Sequence, residues 1–339
     1  MESGKYIIVT GGAGFIGSHT VVSLLESGYS PIIIDDFRNS KKFILDRLEE
    51  ITGKSIVSFD FDCSNQEKLR EVFSTYEVHG IIHFAADKAV GESVLKPLKY
   101  YENNLQSLVS MLKISEEFSV TKFVFSSSCT VYGEPDQVPV DENAPIKYTA
   151  SPYGYTKQVC ERICADTAYA SDHLRITLLR YFNPIGAHPS GLIGELPLGV
   201  PNNLVPFVTQ TAIGIRQELT VFGDDYPTTD GTCIRDYIHV CDLADAHVRA
   251  LESNSDEEVS IYNVGTGVGS TVLEVVNTFE EVNGVKVKHK IGPRREGDAA
   301  QVYADNKKIT EALHWKAKYT LSDALKHAWN WQKNLDESR

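Results

Sequence analysis

Two periods of apolar residues alternate along the first half of the chain. Short apolar runs of strand length, over 6–10, 31–34, 55–62 and 80–86, are separated by stretches in which apolar residues recur every three or four positions. The alternation continues with a helix over 105–118, a strand over 122–126, a helix over 151–170 and a strand over 175–179. Near-continuous apolar strands interleaved with helices predict a mostly parallel sheet covered on both faces.

From residue 183 the texture changes. Pro184, Pro189, Pro197, Pro201 and Pro206 describe long ordered loops around one helix over 204–215. Further turns fall at 223–227 and 230–231. A short strand over 236–240 is expected to return toward the first lobe, followed by a helix over 241–251, a strand over 262–264 and a helix over 273–281. Trp315, Trp329 and Trp331 are expected to anchor the last helix. The expected division is a first domain over 1–185, with a returning segment near 232–262, and a second over 186–339.

The first strand ends in Gly11-Gly12-Ala13-Gly14-Phe15-Ile16-Gly17, which contains G-x-G-x-x-G and opens a helix over 15–26. Glycines there allow a tight turn and a close approach to a pyrophosphate, which the helix N-terminus favours. The second strand closes on Asp35, placed to accept both ribose hydroxyls of an adenosine and to repel a 2′-phosphate. That favours NAD over NADP, although Arg38 keeps the second open. The third apolar run ends in Asp62, suited to an adenine amino group, and the fourth ends in small residues at Ala85 and Ala86. Together these predict an α/β fold, a Rossmann-like doubly wound parallel sheet with a smaller C-terminal substrate-binding lobe.

Composition narrows the partners. The 339 residues include 33 basic and 46 acidic side chains, a formal net charge of −13. Without a basic stripe or tail, neither nucleic acid nor an anionic membrane is expected as a partner. The first residues are too polar for a signal sequence, and no run approaches a membrane span. Six cysteines, at 63, 129, 160, 164, 233 and 241, are scattered without metal-ligand spacing. They read as reduced thiols of a cytoplasmic protein, with no metal site.

The chemistry is concentrated in Ser126-Ser127-Ser128 and in Tyr153-Gly154-Tyr155-Thr156-Lys157. A free phenol has a pKa of about 10, and a lysine one helical turn away can lower it and support a phenolate. Tyr153 is then a base for a substrate hydroxyl that loses hydride to a nicotinamide. Lys157 supports the phenolate and touches the nicotinamide ribose. Ser128, at the strand end, hydrogen-bonds the same oxygen, and Thr130 lies near enough to help hold a sugar. Ser126 and Ser127 are weaker candidates on strand alternation.

The second lobe offers Arg235, and Arg295 with Asp298 in the run 294–298. Two guanidinium groups fit a substrate carrying its own diphosphate, with Asp298 placed for ribose hydroxyls. Asn183 and Asn203 supply amides and Phe222 an apolar plate for a base. Each is equally readable as a loop or core residue.

The runs TGGAGFIGSH over 10–19, HFAADKAVGES over 83–93, SSSCTVYG over 126–133, RYFNPIGAH over 180–188, PNNL over 201–204 and GTCIRDYIHV over 231–240 carry a wider likeness. On these the chain resembles the extended short-chain dehydrogenase/reductase family and, within it, the UDP-galactose 4-epimerases (UDP-glucose 4-epimerases). The resemblance implies a tightly held NAD and reversible 4-epimerisation of UDP-galactose and UDP-glucose through a 4-keto sugar. It implies catalytic roles for Ser128, Tyr153 and Lys157. Cofactor roles fall on Gly11, Gly14, Phe15, Ile16, Gly17, Asp35, Asn39, Ser40, Asp62, Cys63, Phe84, Ala85, Lys88, Asn103, Tyr153, Lys157 and Tyr181. Sugar-nucleotide roles fall on Lys88, Ser128, Thr130, Tyr153, Asn183, Asn203, Leu204, Phe222, Arg235, Arg295 and Asp298. It also implies a homodimer built on the regions 105–118 and 153–170.

In that family a position shortly after the Arg-x-Gly-Asp element gates the pocket for the sugar 2-substituent. Here it is Val302, small enough to predict activity on UDP-GalNAc and UDP-GlcNAc as well. Three other readings are weighed. A nucleotide-sugar 4,6-dehydratase needs an Asp-Glu pair where this chain has Cys129-Thr130-Val131. An epimerase for a UDP-uronic acid or pentose would differ at the C6 pocket. A redox sensor without chemistry has little reason to keep Ser128, Tyr153 and Lys157 together.

Overall fold

The strands of the computed structural model, which describes residues 5–295 and 297–337, begin with β1 (Tyr6–Thr10), β2 (Ser30–Asp35), β3 (Val57–Asp60), β4 (Val78–His83), β5 (Lys122–Ser128) and β6 (Arg175–Tyr181). They continue with β7 (Asn183–Ile185), β8 (Leu219–Phe222), β9 (Ile234–His239), β10 (Val259–Val264), β11 (Gly269–Thr271), β12 (His289–Gly292) and β13 (Gln301–Val302). The chain divides into two units. The first contains the residues up to Gly133, Pro145–Tyr181 and Ala244–Tyr262; the second contains Glu134–Ala144, Phe182–Leu243 and the residues from Asn263 onward.

The sheet of the first unit is seven-stranded, in the order β10-β6-β5-β4-β1-β2-β3. It is the doubly wound parallel sheet that the alternating pattern predicts. Ile7, Ile8, Val9, Ile32 and Ile33 are fully buried because helices cover both faces. Each such side chain contributes about 1.5–3 kcal/mol relative to exposure. Strand order reverses between β1 and β4, and ligands of such sheets bind beside that switch point. The glycine turn after β1 and the end of β4 meet there: Phe84 N donates to Thr10 O (3.1 Å) and Ala85 N to Thr10 Oγ1 (3.3 Å).

Some boundaries differ from the sequence reading. The helix expected over 105–118 is Pro97–Glu117, since proline is well tolerated in a first turn. The helix expected over 204–215 stops at Ala212, with Gly214 in the left-handed region just beyond.

The second unit is built on β9, which pairs with β7 and β13 in parallel and with β11 in antiparallel fashion. The strand over 236–240, expected to return to the first lobe, therefore belongs to the second unit's sheet. Only Ala244–Tyr262 lies in the first. Buried Asp236 anchors β9 by accepting Thr266 N (2.8 Å), Thr266 Oγ1 (2.7 Å), Gly267 N (3.0 Å) and Ala304 N (3.2 Å). Val205, Val208, Val275, Phe279 and Leu325 form the core. Trp329 packs edge-on against Phe279, and Trp331 Nε1 donates to Glu195 O (2.9 Å).

Candidate active site

In the first unit the helix Phe15–Glu26 starts at Gly14 without a side-chain cap, leaving first-turn N–H groups for an anion. Gly11 has φ +69°, a conformation in which other residues are strained. A Cβ on Gly17 would stand 2.2 Å from Gly11 O, so the turn admits only glycine there. Phe15 and Ile16 are half-buried at the helix start, and exposed Lys88 places Nζ 6.0 Å from the Phe15 ring.

Asp35 is held ready by its neighbours. Its carboxylate accepts Ala13 N (3.0 Å), Phe37 N (2.9 Å) and Ser40 Oγ (3.0 Å). Burial nevertheless pushes its pKa up, against those bonds. Asn39 beside it is exposed. Arg38, which sequence reading tied to a 2′-phosphate, is committed elsewhere. It pairs with Asp36 and Asp62 and donates to Asn103 Oδ1 (2.9 Å). Burial opposes the Asp62 charge, but bonds from Ser64 and Arg38 hold its carboxyl below the usual range. Cys63 is buried and its thiol is pushed up.

The reacting residues come together at the end of β5. Ser151 caps the helix Pro152–Ala170 by accepting Gly154 N (3.2 Å), with Pro152 at its first position. That start places Tyr153 in the first turn and Lys157 one turn later. Ser128 Oγ lies beside the Tyr153 phenol and accepts Thr130 N (3.2 Å). The short 3₁₀ turn Cys129–Tyr132 begins on that bond. Thr130 Oγ1 is buried with no partner among the described residues. Burial pushes Tyr153 up to about 12, with the Ser128 hydroxyl working the other way. The sequence reading expects Lys157 to lower this value. Instead Lys157 Nζ donates to Ser126 O (2.6 Å) and Ser126 Oγ (3.3 Å), and burial lowers Lys157 to about 8.

Two further groups lie behind the serines. Ser127 Oγ donates to Glu161 Oε1 (2.5 Å), and Glu161 pairs with Arg180 (2.6 Å), which reaches Tyr132 OH (2.9 Å). The Tyr181 phenol bonds His247 Nε2, and the His247 ring centroid lies 4.7 Å from that of Phe84.

In the second unit two arginines converge on Asp298. Arg295 Nε donates to Asp298 Oδ2 (2.8 Å) and Arg235 Nη2 lies 3.5 Å from Oδ1. Phe222 lies under the Arg295 guanidinium at 5.1 Å. Arg294 is turned away, onto Asp225 (2.6 Å) and the Tyr226 ring, and Glu296 lies outside the described residues. Val302 is buried and pairs in register with Arg235. Asn203 begins the helix Leu204–Ala212 and donates to Glu195 (2.6 Å); Asn183 is half-buried on β7. No group of three or more metal-binding side chains occurs among the described residues.

The family profile described as GDP-mannose 4,6 dehydratase matches residues 8–328. UDP-glucose 4-epimerase 2 of Arabidopsis thaliana is 49% identical over 335 residues, covering 97% of this chain and 95% of its own. The crystal structure of UDP-glucose 4-epimerase from Bifidobacterium longum in complex with NAD+ and UDP superposes with a TM-score of 0.95. It is 46% identical and covers 98% of this chain and all of that one. The UDP-Glc/GlcNAc 4-epimerase of Campylobacter jejuni gives 0.85 at 35% identity, covering 98% and 100%.

The chain belongs to the UDP-glucose 4-epimerase family. Its first unit brings Ser128 beside Tyr153, and Ser126 into the cluster through Lys157. Glu161, Arg180 and His247 are not among the residues the sequence reading assigned to the site, and Ser126 entered it only as a weaker candidate. Glu161 had a signal, since an acidic residue four beyond Lys157 on the same helix face points inward with it. His247 had none, because it arrives from a helix far along the chain.

Proposed function

We propose that this enzyme catalyses the reversible, NAD-dependent 4-epimerisation of UDP-galactose and UDP-glucose through a 4-keto intermediate. The observation that carries the reading is the placement of Ser128 at the end of β5 beside the buried Tyr153 phenol, with Lys157 one turn along the helix. The glycine turn fits a dinucleotide because the tight backbone packing that Gly11 and Gly17 allow leads directly into an uncapped helix N-terminus, which favours a pyrophosphate. Asp35 would take the adenosine ribose, with Ser40 and the backbone holding its carboxylate in place. When bound, NAD supplies a hydride acceptor at C4 and returns the hydride to either face.

The chain's own residues handle the proton. Tyr153 would remove it from the sugar 4-hydroxyl and return it after the keto sugar has turned. Ser128 would donate to the 4-oxygen, and Thr130 Oγ1, which has no partner among the described residues, would take a sugar hydroxyl. Arg235 and Arg295 would bind the diphosphate, with Asp298 on the uridine ribose and Phe222 against the base. Asn183, Asn203 and Leu204 would complete the sugar-nucleotide contacts.

The protein should convert UDP-galactose to UDP-glucose without added NAD, as resolved by chromatography of the sugar nucleotides. No conversion with NAD also supplied overturns the proposal. Because the side chain at the gating position, Val302, is small, UDP-GalNAc and UDP-GlcNAc are proposed as further substrates. Val302→Tyr should selectively lower conversion of the acetylated pair, by roughly tenfold or more; equal loss on both pairs would sink that proposal.

A homodimer is the proposed assembly. The helices Pro97–Glu117 and Pro152–Ala170 leave Leu98, Tyr155 and Tyr169 exposed. Sedimentation equilibrium should return twice the chain mass, and a single-chain mass at micromolar concentration rules it out. All six cysteines are free thiols, consistent with the proposed cytoplasmic location. No described helix is long and apolar enough to cross a membrane.

A further inference from the structure

We infer that Arg38 is a positioning residue for the adenine end of the cofactor, holding Asp62 and Asn103 ready for the amino edge of that base. The inference rests on the NAD role proposed for the site. Three elements of the first unit meet on one guanidinium group. Arg38 Nη2 pairs with Asp36 on its own turn and with Asp62 just after β3. Its Nη1 donates to Asn103 Oδ1 (2.9 Å) on the helix Pro97–Glu117. A planar, many-donor fork holds such acceptors at fixed angles, which a single ammonium nitrogen does not.

The turn after β2 is bent for this contact. Phe37 has φ +57°, a left-handed conformation that is strained for a bulky residue and persists only where its surroundings fix it. Here they do. Asp35 Oδ1 accepts Phe37 N (2.9 Å) and Asp36 Oδ1 accepts Arg38 N (3.0 Å). Lys42 Nζ lies 5.4 Å from the Phe37 ring centroid and pairs with Asp60 at the end of β3 (2.6 Å). A solvated surface arginine would not require such a turn.

Both partners of Arg38 keep capacity for a ligand. Asp62 Oδ1 accepts Ser64 N (2.9 Å) and Oδ2 meets Arg38, so each oxygen retains a lone pair. The Asn103 amide is oriented from both ends: Oδ1 accepts from Arg38, Nδ2 donates to Asn104 Oδ1 (3.2 Å), and one N–H is left. A carboxylate acceptor and an amide donor gathered on one fork match adenine, whose amino group donates beside a ring nitrogen that accepts. Fixing both side chains beforehand removes the ordering cost that a loose pair would add on binding. Arg38 and Asp62 are partly exposed, so as an ion pair alone they contribute little to stability. Their effect is placement.

The test compares two dinucleotides that differ at one group. Full-length protein is loaded with NAD or with nicotinamide hypoxanthine dinucleotide, which has an oxygen in place of the 6-amino group of adenine. Release after dilution is followed by the dinucleotide recovered in ultrafiltrates. From the parent the analogue should leave about tenfold faster than NAD, since it has no amino group to donate to Asp62. Arg38→Met should speed NAD release about tenfold and change release of the analogue by less than about twofold. Arg38→Lys, which keeps the charge without the fork, should behave as Arg38→Met does. Adding Arg38→Met to Asp62→Ala should speed NAD release no further than Asp62→Ala alone.

Equal acceleration of both dinucleotides in Arg38→Met would make the effect a general loosening and overturn the inference. Parent-like NAD release in Arg38→Met or Arg38→Lys would overturn it as well. A protein that shows the expected selectivity but does not epimerise UDP-galactose leaves this inference standing and removes the proposed function. A parent that holds neither dinucleotide removes the cofactor reading, and this inference falls with it.

Discussion

Tyr153→Phe should lower conversion of UDP-galactose to UDP-glucose by roughly 10³–10⁴-fold, the upper part of the range for losing a positioned acid–base group. The substitution keeps the ring and deletes only the phenol oxygen, beside which Ser128 lies. Neither neighbour can replace it. Ser128 and Thr130 are aliphatic hydroxyls, far too weakly acidic to hold the proton and release it in turn. Tyr153 is suited to the exchange by two opposed effects. Burial pushes its pKa up to about 12, so a phenol that has taken the proton keeps it. Its place in the first turn of a helix favours the phenolate by about 0.3–1 kcal/mol, and the Ser128 hydroxyl acts in the same sense. The assay is conversion by protein whose thermal unfolding matches the parent, and a loss below tenfold would remove Tyr153 from the acid–base role.

What the sequence disclosed and what it hid divide along a physical line. The sheet of the first unit was legible because strands buried on both faces, such as Ile7–Val9 and Ile32–Ile34, read as unbroken apolar runs. Tyr153 and Lys157 were legible because one helical turn fixes their spacing. The second unit was harder. Its strands β7, β11 and β13 have three residues or fewer, too few to show a period, and their pairing with β9 spans long loops. Asp236 reads in sequence only as the first residue of a short strand; four hydrogen bonds from distant residues make it the anchor of that sheet. The direction of the Lys157 amine was equally hidden. Spacing brings it to the right face but cannot show that Ser126, rather than Tyr153, receives its hydrogen bonds.

Arg180→Ala should destabilise the protein by about 3–5 kcal/mol, because it leaves Glu161 buried as an uncompensated charge. Both residues are more than nine-tenths buried, and the guanidinium makes two bonds to the carboxylate, at 2.9 and 2.6 Å. Burial opposes the Arg180 charge, yet those bonds hold its pKa above the ordinary value. Replacing both, as Glu161→Leu with Arg180→Met, should restore most of the urea midpoint, since an apolar pair of similar volume avoids the desolvation of two charges. Activity should not return with it. Ser127 and Tyr132 would lose the partners that tie the end of β5 and the turn Cys129–Tyr132 to the helix carrying Tyr153. A double variant as stable as the parent but markedly slower would mean that the pair is retained for the placement of Ser128 and Thr130 rather than for stability. Parent-like turnover in that variant would assign it to packing alone, and a loss below about 1 kcal/mol in Arg180→Ala would contradict the burial argument itself.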